Sequence, residues 1–436
     1  MMLLFRASHA GAQSRANVVI ILADDLGYAD VGAQGVLQDV KTPNIDTIAK
    51  NGVRFTNAYV SCPVCSPSRA GLLTGRYQER FGYEANPIAA YDEKFGLPHD
   101  QVTLANAMKS AGYVTSAFGK WHEGNIPEYR PLLRGFDEYF GFLGGMHGYM
   151  GKASIASQGW NVIRRGDEPV EEKEYLTDAI SREAVSFIDR HRDQPFFMYI
   201  AYNAVHSPLQ APQKYLERFA DVQDRKRQTM LAMLSAMDDG VGSILAKLRE
   251  SGLEEKTLVV FLSDNGGPTS ENASRNTPLR GFKGQVWEGG IRIPWMMQWK
   301  GRIPPGRVLD QPIISLDLFP TALTLAGADS PKDVQIDGVN ILPLAEGKSD
   351  ARPHETLYWR FKPQWAIRDG DYKLEQARDG VTRLYDLSKD LGEKNDLMTT
   401  QADIAKRLQA KYEAWNSELK EPLWPGRQEG ENDIAN

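Results

Sequence analysis

The sequence predicts an α/β fold, a large sheet flanked by helices, followed by a small α+β unit made of an antiparallel sheet and a helix. Three observations carry that expectation. The runs Asn17–Ala23 and Thr257–Ser263 are continuous, apolar and rich in β-branched residues, as strands buried on both faces of a parallel sheet are. Helical patterns over residues 175–192 and 224–250 lie between them and supply a covering layer. Beyond a linker at 346–353 the pattern changes to short strands at 356–361, 365–368, 372–375 and 382–385, the last three separated by Asp369-Gly370 and Asp379-Gly380, pairs that favour hairpin turns. A chain of 436 residues with 42% hydrophobic content can build one large domain, here 17–345, and an appendage, 354–425, whose sheet a helix near 401–419 would cover.

Composition excludes several classes. A formal charge of −6 leaves no electrostatic footprint for nucleic acid or an anionic membrane, so an anionic substrate must be attracted by local cations against the overall field. No run reaches the 18 or more apolar residues of a membrane span. Two cysteines cannot make a disulfide framework, and the composition is neither that of a disordered chain nor collagen-like. Residues 1–16 read as the remnant of an export signal, because Ala10-Gly11-Ala12 resembles a cleavage site behind a short apolar core; a cytoplasmic protein is the alternative.

Taken in order, the first strand ends in Asp24-Asp25, two carboxylates at the position where open α/β sheets bind ligands; a capped turn explains one of them better than two. Thr42-Pro43 opens a short helix that ends near Gly52, and 53–60 reads as a strand. A helix over 103–112 and a strand over 113–118 lead to Gly119-Lys120-Trp121-His122, where Lys120 and His122 share one side of an extended segment, although such a pair is often plain surface. Residues 124–172 are rich in glycine and aromatics without a sustained period, the composition of a functional loop. A buried strand over 195–202 precedes His206, a candidate site residue.

The second apolar run ends in Asp264-Asn265 and so mirrors the first. Two parallel strands that finish in oxygen ligands at one sheet edge can share a hard cation, and a set of Asp and Asn favours calcium or magnesium over zinc. Residues 279–290 flank Lys283 with glycines, which suits a loop delivering an ammonium group; a solvated turn is the plain alternative. A strand over 293–299 and a helix over 315–326 close the main domain.

The centre of the pattern is the segment 62–76, CPVCSPSRAGLLTGR. Ser66-Pro67 reads as an N-cap and first helical residue of a helix stopping at Gly75, which places Cys65 just outside a helix N-terminus with Arg69 one turn in. Cys62-x-x-Cys65 is also compatible with a redox dithiol, half a zinc site or a buried structural cysteine.

The run from Cys65 to Arg76 resembles the C-x-P-S-R-x-x-x-L-x-G-R signature of the type I, formylglycine-dependent sulfatases of the alkaline-phosphatase-like superfamily. Asp24-Asp25, Gly119-Lys120-Trp121-His122, His206-Ser207-Pro208, Asp264-Asn265-Gly266 and Gly281-Phe282-Lys283-Gly284 match that family's active-site segments in order, and Leu384-Tyr385-Asp386-Leu387 with Glu393 to Leu397 resembles its C-terminal subdomain. The resemblance implies a large mixed sheet flanked by helices and hydrolysis of a sulfate ester. It implies that a formylglycine-generating enzyme converts Cys65 to an aldehyde whose hydrate is the nucleophile. By the same resemblance Asp24, Asp25, Asp264 and Asn265, with the modified Cys65, hold calcium or magnesium. Arg69, Lys120 and Lys283 offset sulfuryl charge; His122 orients the hydrate and accepts its second proton; His206 protonates the leaving alcohol; and Asp264 can act as base.

Two features depart from the family pattern: the short leader in an enzyme class that is typically exported, and Glu123, which follows His122 where the family usually has an apolar residue. The aromatic and His content of 139–160 makes a sulfated carbohydrate the expected substrate, with His147, Trp160 and Glu123 as candidate contacts. The alternatives are a phosphodiester or phosphonate hydrolase on the same scaffold, and a non-catalytic carbohydrate-binding relative.

Overall fold

The computed structural model describes residues 15–87, 95–151 and 162–424, so nearly all of the expected leader lies outside the described residues. The strands are β1 (Asn17–Ala23), β2 (Val53–Phe55), β3 (Ala58–Tyr59), β4 (Val114–Lys120), β5 (Glu138–Phe142), β6 (Arg164–Arg165), β7 (Glu168–Pro169), β8 (Phe196–Ala201), β9 (Thr257–Ser263), β10 (Trp295–Gln298), β11 (Arg307–Leu309), β12 (Ile313–Ile314), β13 (Thr356–Phe361), β14 (Gln364–Asp369), β15 (Tyr372–Gln376) and β16 (Thr382–Asp386). Ten of them form one mixed sheet in the order β11-β2-β10-β9-β1-β8-β4-β5-β6-β7. Its centre, β9-β1-β8-β4-β5, is all parallel, while β10 is antiparallel to both neighbours and β5-β6-β7 is an antiparallel meander.

The continuous apolar character of β1 follows from its place. Val18, Ile20 and Leu22 enter one core cluster and Val19, Ile21 and Ala23 the other, so neither face meets water. The helices Leu176–His191 and Arg225–Glu250 cover the second face. The helices Leu104–Ser110 and Leu318–Ala326 and the apolar side of the C-terminal sheet cover the first. Arg225–Glu250 begins at an Asp224 cap that accepts from the N–H groups of Lys226 and Arg227, and it runs unbroken through Gly240, where a Cβ would sit 2.1 Å from the Ser181 hydroxyl.

Two expectations are corrected here. Residues 53–60 are not one strand: β2 belongs to the large sheet, whereas β3 pairs with β12 in a separate two-stranded sheet. The stretch 124–172 contains β5, which pairs in parallel with β4 and places Gly141 opposite Gly119. A Cβ on Gly141 would lie 1.8 Å from the Gly119 carbonyl oxygen, so the glycine that made this stretch look irregular is what lets the two strands approach.

Because β9, β1, β8 and β4 are parallel and in register, their C-terminal ends reach one edge together, with Ala23 opposite Ser263 and both Leu22 and Gly119 opposite Ala201. The chain therefore delivers Asp24-Asp25, Asp264-Asn265, residues 203–206 and residues 120–122 to one place. β13 to β16 form an antiparallel sheet in chain order, covered by the helix Ala402–Asn416, with Tyr412 stacked on Trp365 at 4.3 Å and Trp415 on Tyr358 at 4.8 Å. The β14-β15 turn comes one residue later than expected, at Gly370-Asp371. The seam between the two sheets is polar as well as apolar: the buried Lys373 ammonium donates to Glu288 at 2.9 Å and to Glu393 at 2.8 Å. Among the described residues no helix is long and apolar enough to cross a membrane.

Removing one partner of a buried ion pair leaves an uncompensated charge. Lys373→Met, which strands Glu393 while Glu288 keeps Arg292 and the Tyr59 hydroxyl, is expected to cost about 3 kcal/mol in urea unfolding; a loss under about 1 kcal/mol would show that the seam does not depend on this lysine.

Candidate functional site

The helix that carries the cysteine spans Cys65–Thr74, with extended Val64 at its N-cap, so Cys65 is its first residue and does not stand outside it. The Ser66 side chain is not a cap, because its hydroxyl donates to the His122 carbonyl at 2.6 Å and meets the Tyr83 hydroxyl at 2.7 Å. Asn86 takes over the capping duty, its Oδ1 accepting from the Ser66 N–H at 3.0 Å. Cys65 Sγ thereby points at the carboxyl edge of the sheet, 3.6 Å from Asp24 Oδ1 and 4.0 Å from Asp25 Oδ1.

One turn along, Arg69 donates from Nε and a terminal nitrogen to Asp264 Oδ2 at 3.0 and 2.8 Å, and its other terminal nitrogen donates to the Lys120 carbonyl at 3.3 Å. Lys120, the last residue of β4, places Nζ 2.7 Å from Asp24 Oδ2. Lys283 reaches Asp25 from its loop, with Nζ 2.9 Å from Oδ2 and 2.7 Å from Oδ1. His206 holds Nε2 3.6 Å from Asp25 Oδ2, and its Nδ1 lies 2.6 Å from the Ser207 carbonyl. A carbonyl only accepts, so Nδ1 carries the proton and Nε2 is the titrating nitrogen.

Burial raises carboxyl pKa values, and the site answers it with cations. For Asp24 the charges of Lys120, His206, Arg69 and Lys283 overcome burial and hold the carboxyl far below its ordinary range. Asp264 shares the space with Asp24, and burial plus that neighbour raise it to about 6 against the pull of Arg69 and Lys120. Burial pushes the Cys65 thiol up to about 12, so in its unmodified form it stays a thiol at neutral pH and makes a poor nucleophile. His122 is pushed down by burial and then by Lys120 and Arg69, which makes it a neutral imidazole.

The set fits a divalent cation. Asp24, Asp25, Cys65 and Asp264 each offer a ligand atom, and these four lie within 4.8 Å of one another. Asn265 donates through Nδ2 to Asp25 Oδ1 at 2.7 Å, which leaves its Oδ1 buried with no hydrogen-bond partner. An orphaned buried oxygen beside three carboxylates is costly unless it has a ligand to meet, and hard oxygen donors are what calcium and magnesium take.

Other expected residues fall differently. His122 is not the continuation of an extended strand: it has a φ of 65°, held by the Ser66 hydroxyl on its carbonyl and by its own N–H on the Leu143 carbonyl. Glu123 is fully buried beside Tyr83, near Arg69 and Arg134, and burial raises its carboxyl well above the usual range. Burial favours the neutral form of this acid, and its neighbours inside the protein are Tyr83, Arg69 and Arg134. His147 is buried, with Nδ1 at 2.6 Å from the Gly148 carbonyl and its ring against Phe142, and Asn203 donates to its carbonyl at 3.5 Å. Trp160 lies outside the described residues. Sequence reasoning missed Ser66 as a brace, Tyr83, Asn86, and Asn272, whose Nδ2 donates to the carbonyls of Asp25 and Val205 at 3.1 and 3.2 Å; isolated polar residues at helix ends and in loops carry no periodic signal.

Residues 16–328 match the family model described as Sulfatase, and residues 282–418 that described as N-sulphoglucosamine sulphohydrolase, C-terminal. The chain is 35% identical over 390 residues to N-acetylgalactosamine-6-sulfatase of Mus musculus, covering 84% of this chain and 72% of that protein. The human N-acetylgalactosamine-6-sulfatase is 33% identical over 92% of this chain and 84% of its own length. The crystal structure of Ps i-CgsB in complex with k-i-k-neocarrahexaose is similar with a TM-score of 0.89 at 35% identity, over 94% of this chain and 95% of that one.

Both cysteines are buried, and burial raises both thiols. In folded protein whose Cys65 keeps its thiol, iodoacetamide at pH 8 is expected to react with Cys65 about 10³-fold more slowly than with a free cysteine, from the thiolate fraction alone, and Cys62 is expected to be slow as well; rapid labelling without unfolding would contradict the geometry.

Proposed function

The chain belongs to the sulfatase family, sulfuric ester hydrolases, and from that premise we propose that it cleaves a sulfate ester of a sulfated carbohydrate using a formylglycine made from Cys65 beside a divalent cation. The observation that carries this reading is the convergence of Cys65, three carboxylates and three cations on one sheet edge. The carbohydrate class is supported by relatives whose names or bound ligands are saccharides, N-acetylgalactosamine-6-sulfatase and the neocarrahexaose-bound Ps i-CgsB.

Asp24, Asp25, Asp264 and Asn265 would hold the cation, with residue 65 as a further ligand, and the ion when bound would supply Lewis-acid polarisation of a sulfate oxygen. Conversion of Cys65 by a formylglycine-generating enzyme supplies a hydrated aldehyde, whose second hydroxyl makes departure of sulfate intramolecular, a benefit neither thiol nor serine offers. The rest of the chemistry belongs to the chain's own side chains. Asp24, Asp25 and Asp264 contribute three negative charges and Arg69, Lys120 and Lys283 three positive ones, so the protein groups sum to zero and a dication leaves the site positive, suited to an anion. Arg69 is fixed at all three nitrogens, Lys120 presents its ammonium group in a buried setting where water screens it little, and Lys283 brings its own from the part-exposed rim. Asp264, fixed by Arg69 at 2.8 and 3.0 Å beside residue 65, is placed to take the proton of the attacking hydroxyl. His206, its Nδ1–H donated to the Ser207 carbonyl, takes up a proton at Nε2 beside Asp25 and as the imidazolium passes it to the leaving oxygen, and neutral His122 accepts the proton released when sulfate departs.

Peptide mass analysis of matured protein should find the Cys65 side chain with oxygen in place of sulfur and two hydrogens fewer. Cys65→Ser should retain sulfate covalently or lose turnover, because no second hydroxyl remains to expel it; wild-type rates on sulfated saccharides in that variant would sink the mechanism.

Lys120→Ala is expected to lower kcat by about 10²–10³, the loss typical of one oxyanion donor. Near-normal kinetics would remove Lys120 from the charge-stabilising set, and faster turnover of phosphate than of sulfate esters would point to the related hydrolase instead.

A further inference from the structure

The loop that carries Lys283 has little regular structure of its own between Arg280 and the short helix Glu288–Ile291. Its internal bonds are few: Gln285 N–H to the Phe282 carbonyl at 3.1 Å, and Phe282 N–H to Gln285 Oε1 at 3.2 Å. What fixes it comes from elsewhere, and much of it converges on Gly284, the neighbour of Lys283. The Gly284 N–H donates to the Pro63 carbonyl at 2.9 Å, in the segment that enters the Cys65 helix. The Gly284 carbonyl accepts from Gln364 Nε2 at 2.8 Å and from Arg378 at 3.3 Å, both in the C-terminal sheet region. Gln364 Oε1 in turn accepts from the Val286 N–H at 3.4 Å.

Gln364 opens β14 and is only 2% exposed. A buried amide is costly unless both ends are used, and here donor and acceptor are both engaged by the two residues that bracket Gln285. The same loop is anchored further along where Glu393 Oε2 accepts from the Glu288 N–H at 2.8 Å and Lys373 holds the Glu288 carboxylate.

We propose that Gln364 is a positioning residue for the reaction: it clamps Gly284 and Val286 so that Lys283 stays directed at Asp25 and the mouth of the site. The C-terminal sheet thus takes part in catalysis by holding one cation in register with the Cys65 helix, through a single glycine bonded on one side to Pro63 and on the other to Gln364. Gln364 reaches the chemistry only through Lys283, so its contribution must vanish when that ammonium is absent.

The test uses Gln364→Met, which keeps the buried volume and removes both hydrogen bonds, alone and combined with Lys283→Ala in the full-length matured enzyme; its activity arm rests on the sulfatase reading. Alone it should lower kcat/KM on a sulfated saccharide about 10–100-fold, the scale of an ångström-sized misplacement. In the Lys283→Ala background it should change kcat/KM by less than about twofold. Hydrogen exchange followed by mass spectrometry provides an arm independent of activity: the peptide containing Gly284 and Val286 should lose protection at least about tenfold while peptides from β15 and β16 keep theirs. An equal fold loss in both backgrounds, or unchanged exchange in the loop, overturns the proposal. Absence of sulfate-ester turnover in the wild type would instead overturn the proposed function, leaving the exchange arm to decide the clamp.

Discussion

Three carboxylates forced together at the end of a parallel sheet are the constraint that the rest of the molecule answers. At about 4 Å each like-charged pair costs on the order of 4 kcal/mol at an effective dielectric near 20, and this site excludes most of the water that would relieve it. Asp24, Asp25 and Asp264 cannot avoid one another, because β1 and β9 are adjacent, parallel and paired from Asn17 through Ala23. The cations are supplied by three different elements: Arg69 by the cysteine helix, Lys120 by the end of β4, Lys283 by a loop. The topology and the charge pattern are therefore one design, since any change of strand register would separate carboxylates from the groups that neutralise them.

Much of this was legible in the residues. β1 and β9 announce themselves by unbroken apolar runs, and their Asp-Asp and Asp-Asn endings stand out because charge follows so abruptly on burial. The long helices and the C-terminal hairpins were equally plain, within a residue or two. What escaped was whatever depends on contact between distant segments. β5 was hidden because its glycine serves strand approach, a reason visible only once β4 lies beside it. Ser66 looked like a cap because local rules favour Ser before Pro, yet a tertiary partner, the His122 carbonyl, claims its hydroxyl while Asn86 does the capping. Glu123 looked like a substrate contact because glutamate is seldom fully buried, and its burial could be known only from the packing around Tyr83 and Arg134.

The exposure of the site residues orders the chemistry. Asp24, Arg69 and Lys120 have side chains with no exposed surface, while Lys283 and His206 retain 14% and 15%. The sealed groups ride on a helix, one turn in from its start, and on the ends of strands, and the part-exposed ones ride on loops. An ester that presents its charged head to the cations must put that head inward, since that is where the fixed positive groups lie, and its alcohol portion then faces the rim. His206 stands at the rim with Nε2 3.6 Å from Asp25 Oδ2, on the side where the proposed mechanism needs a proton for the departing oxygen. Under the proposed mechanism the groups that meet the reacting centre are those the fold holds most rigidly, and the groups that meet the variable part of the substrate are those whose loops can differ from one relative to the next without disturbing the carboxylates below.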